Sequence, residues 1–143
     1  MSGKDAGAKL LSRDDLLRKQ KLEIVRVDLG DNEYVYVRQM TGRERDRFEQ
    51  SLLKEVVGRD GSISYDRSLE DFRAKLAVNT ICDEQGNNLL QPNDYALLSQ
   101  NMSAARLERI VNAAQKLNSI SEEDREALVK NSESAQKDAS TSG

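Results

Sequence analysis

The stretch from Tyr34 to Val57 constrains the fold most, because its apolar period changes within a few residues. Val35 and Val37 alternate with Tyr34, Tyr36 and Arg38, the pattern of a strand that buries one face. Met40-Thr41-Gly42 then turns the chain into a charged run in which Thr41 and Glu44 have capping-box spacing. In that arrangement the hydroxyl accepts the free N–H at the third helical position and the carboxylate reaches back to the cap N–H. Phe48, Leu52 and Val56 recur four apart, with Leu53 and Val57 beside them, while Arg43, Arg45, Asp46, Arg47 and Glu49 fall on the other side. The spacing predicts a helix that continues through Val57 and stops at Gly58, a residue type that adopts a left-handed C-terminal position without steric cost.

Upstream, Lys21 to Leu29 is apolar and β-branched, but its phase slips between Ile24 and Val25. A bulge near Ile24 reconciles the two phases. Gly30-Asp31-Asn32-Glu33 is a turn, so Lys21–Leu29 and Tyr34–Arg38 form an antiparallel hairpin that needs helices to pack on or another strand to pair with. Ser12 and Asp15 repeat the cap spacing. They open a short helix over Arg13–Gln20 that is either a docked N-terminal turn or a partner-binding arm carrying Leu16 and Leu17. Residues 1–11 are small and polar up to Leu10 and are expected to be flexible.

Downstream, residues 58–66 contain Asp60-Gly61 and read as a loop or a very short hairpin. Ser68 caps an expected helix from Leu69 to Ile81, with Leu69, Phe72, Leu76 and Thr80 on one stripe and Cys82 continuing it. Asp83-Glu84-Gln85-Gly86-Asn87-Asn88 is rich in oxygen ligands, yet its glycine is fourth rather than sixth and its twelfth position is Asp94, so it fails as a calcium loop. Pro92 opens a short helix over Asp94–Leu98. Ser103 caps the clearest helix, Ala104–Leu117, whose Leu107, Ile110, Val111, Ala114 and Leu117 follow one face. Ser121 and Asp124 begin a last helix, Glu122–Lys130, and residues 131–143 lack periodicity and are expected to be disordered. The expected architecture is α+β, mainly α: an N-terminal antiparallel β-hairpin packed on a bundle of about four to five helices, forming a single domain over residues 12–130.

Composition narrows the chemistry. The chain of 143 residues has no histidine and one cysteine, which removes the commonest general base, an internal disulfide and any multi-cysteine metal site. No cofactor is expected, and Cys82 reads as a small buried hydrophobe rather than a nucleophile. A hydrolase built on Asp83, Glu84 and Asp94 would lack a histidine, metal-ligand spacing and a glycine-rich phosphate cradle. Net charge is −3, and Arg43, Arg45 and Arg47 alternate with Glu44, Asp46 and Glu49, which cancels a phosphate-facing field; nucleic acid is not an expected partner. No apolar run is long enough to span a bilayer and the start lacks a signal-peptide apolar region, so a cytoplasmic protein without a membrane partner is expected. Residues 1–21 carry six basic and three acidic groups and residues 121–143 the reverse, a segregation that favours head-to-tail homo-oligomers.

The run from Val35 to Glu49, read Val-Tyr-Val-Arg-Gln-Met-Thr-Gly-Arg-Glu-Arg-Asp-Arg-Phe-Glu, resembles the strand-to-helix segment of the tail assembly chaperones of long-tailed phages and prophages. Three further segments agree in order and spacing: Phe72-Arg73-Ala74-Lys75-Leu76 leading into Cys82–Asn87, then Arg106–Ile110 through Lys116-Leu117-Asn118, and finally Lys130-Asn131-Ser132. The resemblance covers residues 12–132 and implies a non-enzymatic role in the host cytoplasm. Such proteins hold the helical tape-measure protein soluble during tail assembly, are displaced as tail-tube subunits polymerise, and are absent from the mature virion. Many are also made as a longer, frameshifted form whose added domain recruits tail-tube protein; this chain resembles the shorter product. The alternative is a small structural tail or head-completion protein retained in the particle.

A chaperone of a helical client needs exposed apolar positions, and this chain has more apolar stripes than one small core requires. The candidate partner or self-association residues are Leu16, Leu17, Leu107, Ile110, Val111, Ala114 and Leu117. The opposing reading places the whole Leu107–Leu117 face inside the core.

Overall fold

The computed structural model describes residues 7–67 and 71–121, together with positions 123, 124 and 127. The elements run α1 (Arg13–Leu17), β1 (Ile24–Gly30), β2 (Glu33–Arg38), α2 (Gly42–Ser51), β3 (Leu53–Val57), β4 (Ile63–Arg67), α3 (Phe72–Thr80), β5 (Ile81–Cys82), a 3-10 turn at Pro92–Asp94, α4 (Tyr95–Asn101) and α5 (Ala104–Leu117). The chain is α+β and mainly α, with the β1–β2 hairpin leading the helices that pack on it.

One sheet has the order β1-β2-β5. The antiparallel register pairs Val25 with Val37 and Val27 with Val35, so these four side chains share the inner face, while Arg26, Asp28, Tyr34 and Tyr36 share the outer one. There the Arg26 guanidinium lies 3.9 Å from the centre of the Tyr34 ring. The hairpin turns at Asp31 and Asn32, both at positive φ, which matches the right-handed strand twist. α5 packs on β1 and β2, α3 lies against α5, and α2 and α4 pack on α3. The core joins Val27, Leu29 and Val37 of the sheet to Phe48, Leu52, Phe72, Leu76, Ile110, Val111 and Ile120. The Phe48 and Phe72 rings meet edge to face at 5.7 Å.

Four expectations are corrected. The register runs unbroken from Ile24 to Asp28 and shifts only between Asp28 and Gly30. Ile24 therefore occupies the outer face without a bulge, where it approaches Gly86 so closely that a Cβ there would stand 3.3 Å from its Cδ1. The second difference is at the end of α2, which stops at Ser51 rather than Val57. The Ser51 hydroxyl donates to the Phe48 carbonyl, a local bond that competes with the helical ladder, and Leu53–Val57 becomes a strand paired with Ile63–Arg67. Gly58 thus serves a hairpin turn: its N–H donates to the Ser62 carbonyl at 2.7 Å, and a Cβ there would lie 2.7 Å from Ser62 Oγ.

Third, α3 begins at Phe72 with Asp71 as its cap; the expected start at Ser68 and Leu69 lies outside the described residues. Fourth, Cys82 does not continue α3. Thr80 donates its hydroxyl to the Leu76 and Ala77 carbonyls, and Ile81–Cys82 leaves the helix to pair with Val37 and Tyr36, closing one edge of β2. Pro92 and α5 fall where the spacing placed them, and Ser103 accepts the Arg106 N–H; α4 runs on to Asn101 rather than ending at Leu98, and α1 ends at Leu17 rather than Gln20. Ser121 and Asp124 exchange the expected cap bonds; the helix expected beyond them and residues 131–143 extend outside the described residues. Among the described residues, no helix is long and apolar enough to cross a membrane.

Candidate partner-binding surface

Two polar arrangements are spoken for by the fold. Arg38 is 5% exposed and grips Glu44 through two parallel bonds, Nη1 to Oε1 at 2.9 Å and Nη2 to Oε2 at 2.5 Å. The same guanidinium donates to Asn88 Oδ1 and the Gln39 carbonyl, and Glu44 closes the capping box at the Thr41 N–H. Burial pushes the Glu44 carboxyl up, but the Arg38 guanidinium, the Thr41 N–H and the Asn88 amide outweigh it and hold the group at about 2. This pair joins β2, α2 and the loop before Asn88. In that loop Asp83 Oδ1 accepts the Gln85 and Asn87 N–H groups, so its oxygens serve the turn itself. Burial raises the Cys82 thiol above its ordinary value, with only partial relief from Arg38, which keeps it protonated and poor as a nucleophile.

The Leu107–Leu117 stripe divides. Leu107, Ile110, Val111 and Ala114 are enclosed, the last three completely, because the inner face of the sheet and α3 cover α5 from two sides. Those four positions are core and offer no surface in the folded chain. Leu117, at the end of α5, is half-buried. Leu16 and Leu17 stand 67% and 68% exposed.

Leu16 and Leu117 come together at an open groove of about 580 Å³. Its lining is mixed: those two residues with Leu22 and Met40 supply the apolar part, and Arg18, Lys19, Arg45 and several neutral polar groups supply an equal share. Asn118 assembles the site: its Oδ1 accepts the Met40 N–H at 2.7 Å and its amide donates to Ala114, while Arg45 donates to its carbonyl. Gln39 stitches the strand end, accepting the Glu23 N–H on its side-chain oxygen as its own N–H donates to the Glu23 carbonyl. On α1, behind the lining residue Arg18, Asp15 closes the capping box with Ser12 and pairs with Lys9 and Arg18.

Of the residues singled out in the sequence, Leu16 and Leu117 line the groove and Leu17 follows on α1 beside it; Leu22, Met40, Gln39 and Asn118 were missed. No periodicity marks them, since each ends or links an element. A second apolar surface, also unforeseen, is the β3–β4 hairpin, where Val57 and Ile63 face each other across the strands and remain 66% and 59% exposed. A smaller hollow near Glu44, Lys75 and Tyr95 is tied up internally, with Lys75 donating to the Ser51 carbonyl.

Compared with models of known protein families, with curated proteins and with solved structures, the chain matches none.

Proposed function

We propose that this chain is a tail assembly chaperone of a long-tailed phage or prophage. It binds the tape-measure protein, keeps it soluble and helps recruit tail-tube subunits during morphogenesis, the latter through a longer frameshifted form, and it is not part of the finished virion. The observation that carries the reading is the groove: Leu16, Leu22, Met40 and Leu117 are gathered in its lining, next to the exposed Leu17, on a domain whose α5 stripe is consumed by its own core from Leu107 to Ala114. Such side chains suit the apolar face of a client helix. Charged residues around it keep the free chaperone from precipitating.

Co-expression with the tape-measure protein of the same genome tests the proposal. The client should remain soluble and be retained by the tagged chain, and purified virions should lack the chain by mass spectrometry. A client that stays insoluble and uncaptured refutes the chaperone role, and stoichiometric recovery of the chain from virions makes it a structural tail or head-completion component instead.

A further inference from the structure

β1 is the outermost strand of its sheet. The Gln39 N–H donates to the Glu23 carbonyl. Bonded pairs in an antiparallel ladder recur at every second residue, so Val25 with Val37 and Val27 with Val35 come next. The N–H and C=O groups of Ile24, Arg26 and Asp28 therefore point away from β2. Among the described residues no strand meets them. α5 covers the inner face of β1, and the carbonyl that its Arg106 Nε takes, that of Leu29, is not among them. A row of free backbone groups on a sheet edge is a template for an extended strand.

The side chains select which strand. A two-fold axis perpendicular to the sheet pairs β1 antiparallel with a second β1 and keeps inner face with inner face. With Val27 on that axis, Arg26 of each copy stands opposite Asp28 of the other on the outer face, and Val25 stands opposite Leu29 on the inner face. Moving the axis to Arg26 or to Asp28 instead sets Arg26 against Arg26 or Asp28 against Asp28, like charges directly opposed. Both side chains are more than half exposed. Arg26 Nε bonds Asp28 Oδ1 of its own chain at 2.9 Å, yet the Arg26 Nη groups and Asp28 Oδ2 make no hydrogen bond among the described residues, so each side chain can take a second partner. The strand ends agree. Arg109 Nη1 stands 3.6 Å from where a Cβ on Gly30 would lie, and the same register runs the Gly30 end of one copy beside Glu23 of the other. Neither Arg109 nor Glu23 enters an ion pair among the described residues.

We propose that two copies of this chain pair through the β1 edge into one continuous antiparallel sheet, with Val27 on the two-fold axis and Arg26 of each copy opposite Asp28 of the other. The contact is closed and symmetric, and it needs neither the groove nor the tape-measure protein.

Sedimentation velocity of the full chain from about 5 μM to about 1 mM tests it, a range chosen because so short a contact associates weakly. Monomer should give way to dimer as concentration rises. Arg26→Asp and Asp28→Arg each oppose like charges at both symmetric positions and should weaken the dimer at least about tenfold. An equimolar mixture of the two variants again sets acid against base at every position and should dimerise about as well as the unaltered chain, as should the chain carrying both substitutions. Circular dichroism confirms that the variants fold. Amide hydrogen exchange of the unaltered chain reads the backbone directly: the Arg26 and Asp28 N–H groups should exchange fast in the dilute monomer and slowly in the dimer, while those of Val25 and Val27 are slow in both. A chain still monomeric at about 1 mM, a dimer indifferent to both single substitutions, or a dimer whose Arg26 and Asp28 amides exchange fast overturns the proposal. So does protection of those amides that arises only when the tape-measure protein is added, since that assigns the edge to a strand of the client.

Discussion

Replacing Glu44 with glutamine isolates a strongly shifted charge, the one held furthest from its ordinary value among the described carboxylates. Glutamine keeps the shape and can still accept the Thr41 N–H, because it serves as well as glutamate at the third position of a capping box. It removes the negative partner of Arg38, which is 6% exposed at its side chain against 19% for Glu44. The distance between about 2 and the ordinary 4.5 corresponds to about 3.5 kcal/mol at about 1.4 kcal/mol per tenfold. Partial exposure and the neutral bonds that glutamine retains reduce this to about 2 kcal/mol at neutral pH, or about 8 °C in melting temperature for a domain of this size. The sign follows from the lowered value. Glu44 contributes its full stabilisation above about 4.5, and the contribution fades as pH falls toward about 2. Asp15 and Asp83 are also held below their ordinary values, mainly by the backbone N–H groups of Ser12 and of Asn87 respectively, so the absolute stability of both proteins falls in acid. The difference between them belongs to Glu44 alone. Urea unfolding followed by circular dichroism at neutral pH, near pH 4.5 and near pH 2 should give a gap that is full at the first, begins to close at the second and nearly vanishes at the third. A gap that is absent at neutral pH, or that persists unchanged in acid, refutes the assignment of this pair as a stabilising, charge-assisted clamp.

Three further outcomes are expected. Leu16→Asp combined with Leu17→Asp should change stability by no more than about 0.5 kcal/mol, since both side chains are already in water, yet capture of the tape-measure protein in pull-downs should fall severely. Ile110→Asp places an unpaired carboxylate at a site with no exposure and should cost more than about 4 kcal/mol, leaving a chain unfolded by circular dichroism. Cys82 is 1% exposed and its thiol is raised by burial, so alkylation followed by mass spectrometry should be slow in the native protein and fast in denaturant.

The sequence carried the elements whose signal is local and self-contained. The Thr41–Glu44 and Ser103–Arg106 caps sit where the spacing placed them, because a cap is decided within four residues. The alternation of Val35 and Val37 marked β2, and the long apolar stripe marked α5 from Ala104 to Leu117. What periodicity could not separate was the transition from helix to strand. Phe48, Leu52 and Val56 fit one helical face, and only the hairpin partner Ile63–Arg67 and the turn at Gly58 make Leu53–Val57 a strand. Likewise, Thr80-Ile81-Cys82 extends an apolar stripe on paper, and the open edge of β2 claims Ile81 and Cys82.

The same distinction explains where the apolar surplus ends up. A stripe is a demand for covering, and the fold decides which demands are met. α5 meets the sheet on one side and α3 on the other, so its stripe from Leu107 to Ala114 is consumed. α1 has five residues, none of them buried, and at its groove wall it meets only the ends of other elements. Leu16 and Leu17 stay exposed although their own sequence is far less apolar than that of α5. Open apolar surface therefore collects where elements end. The groove follows that rule: Leu22 precedes β1, Gln39 and Met40 follow β2, Gly42 opens α2, and Leu117 to Ser119 finish α5. Side chains gathered from so many termini share no period, so the groove emerges only once the core has fixed the ends relative to one another.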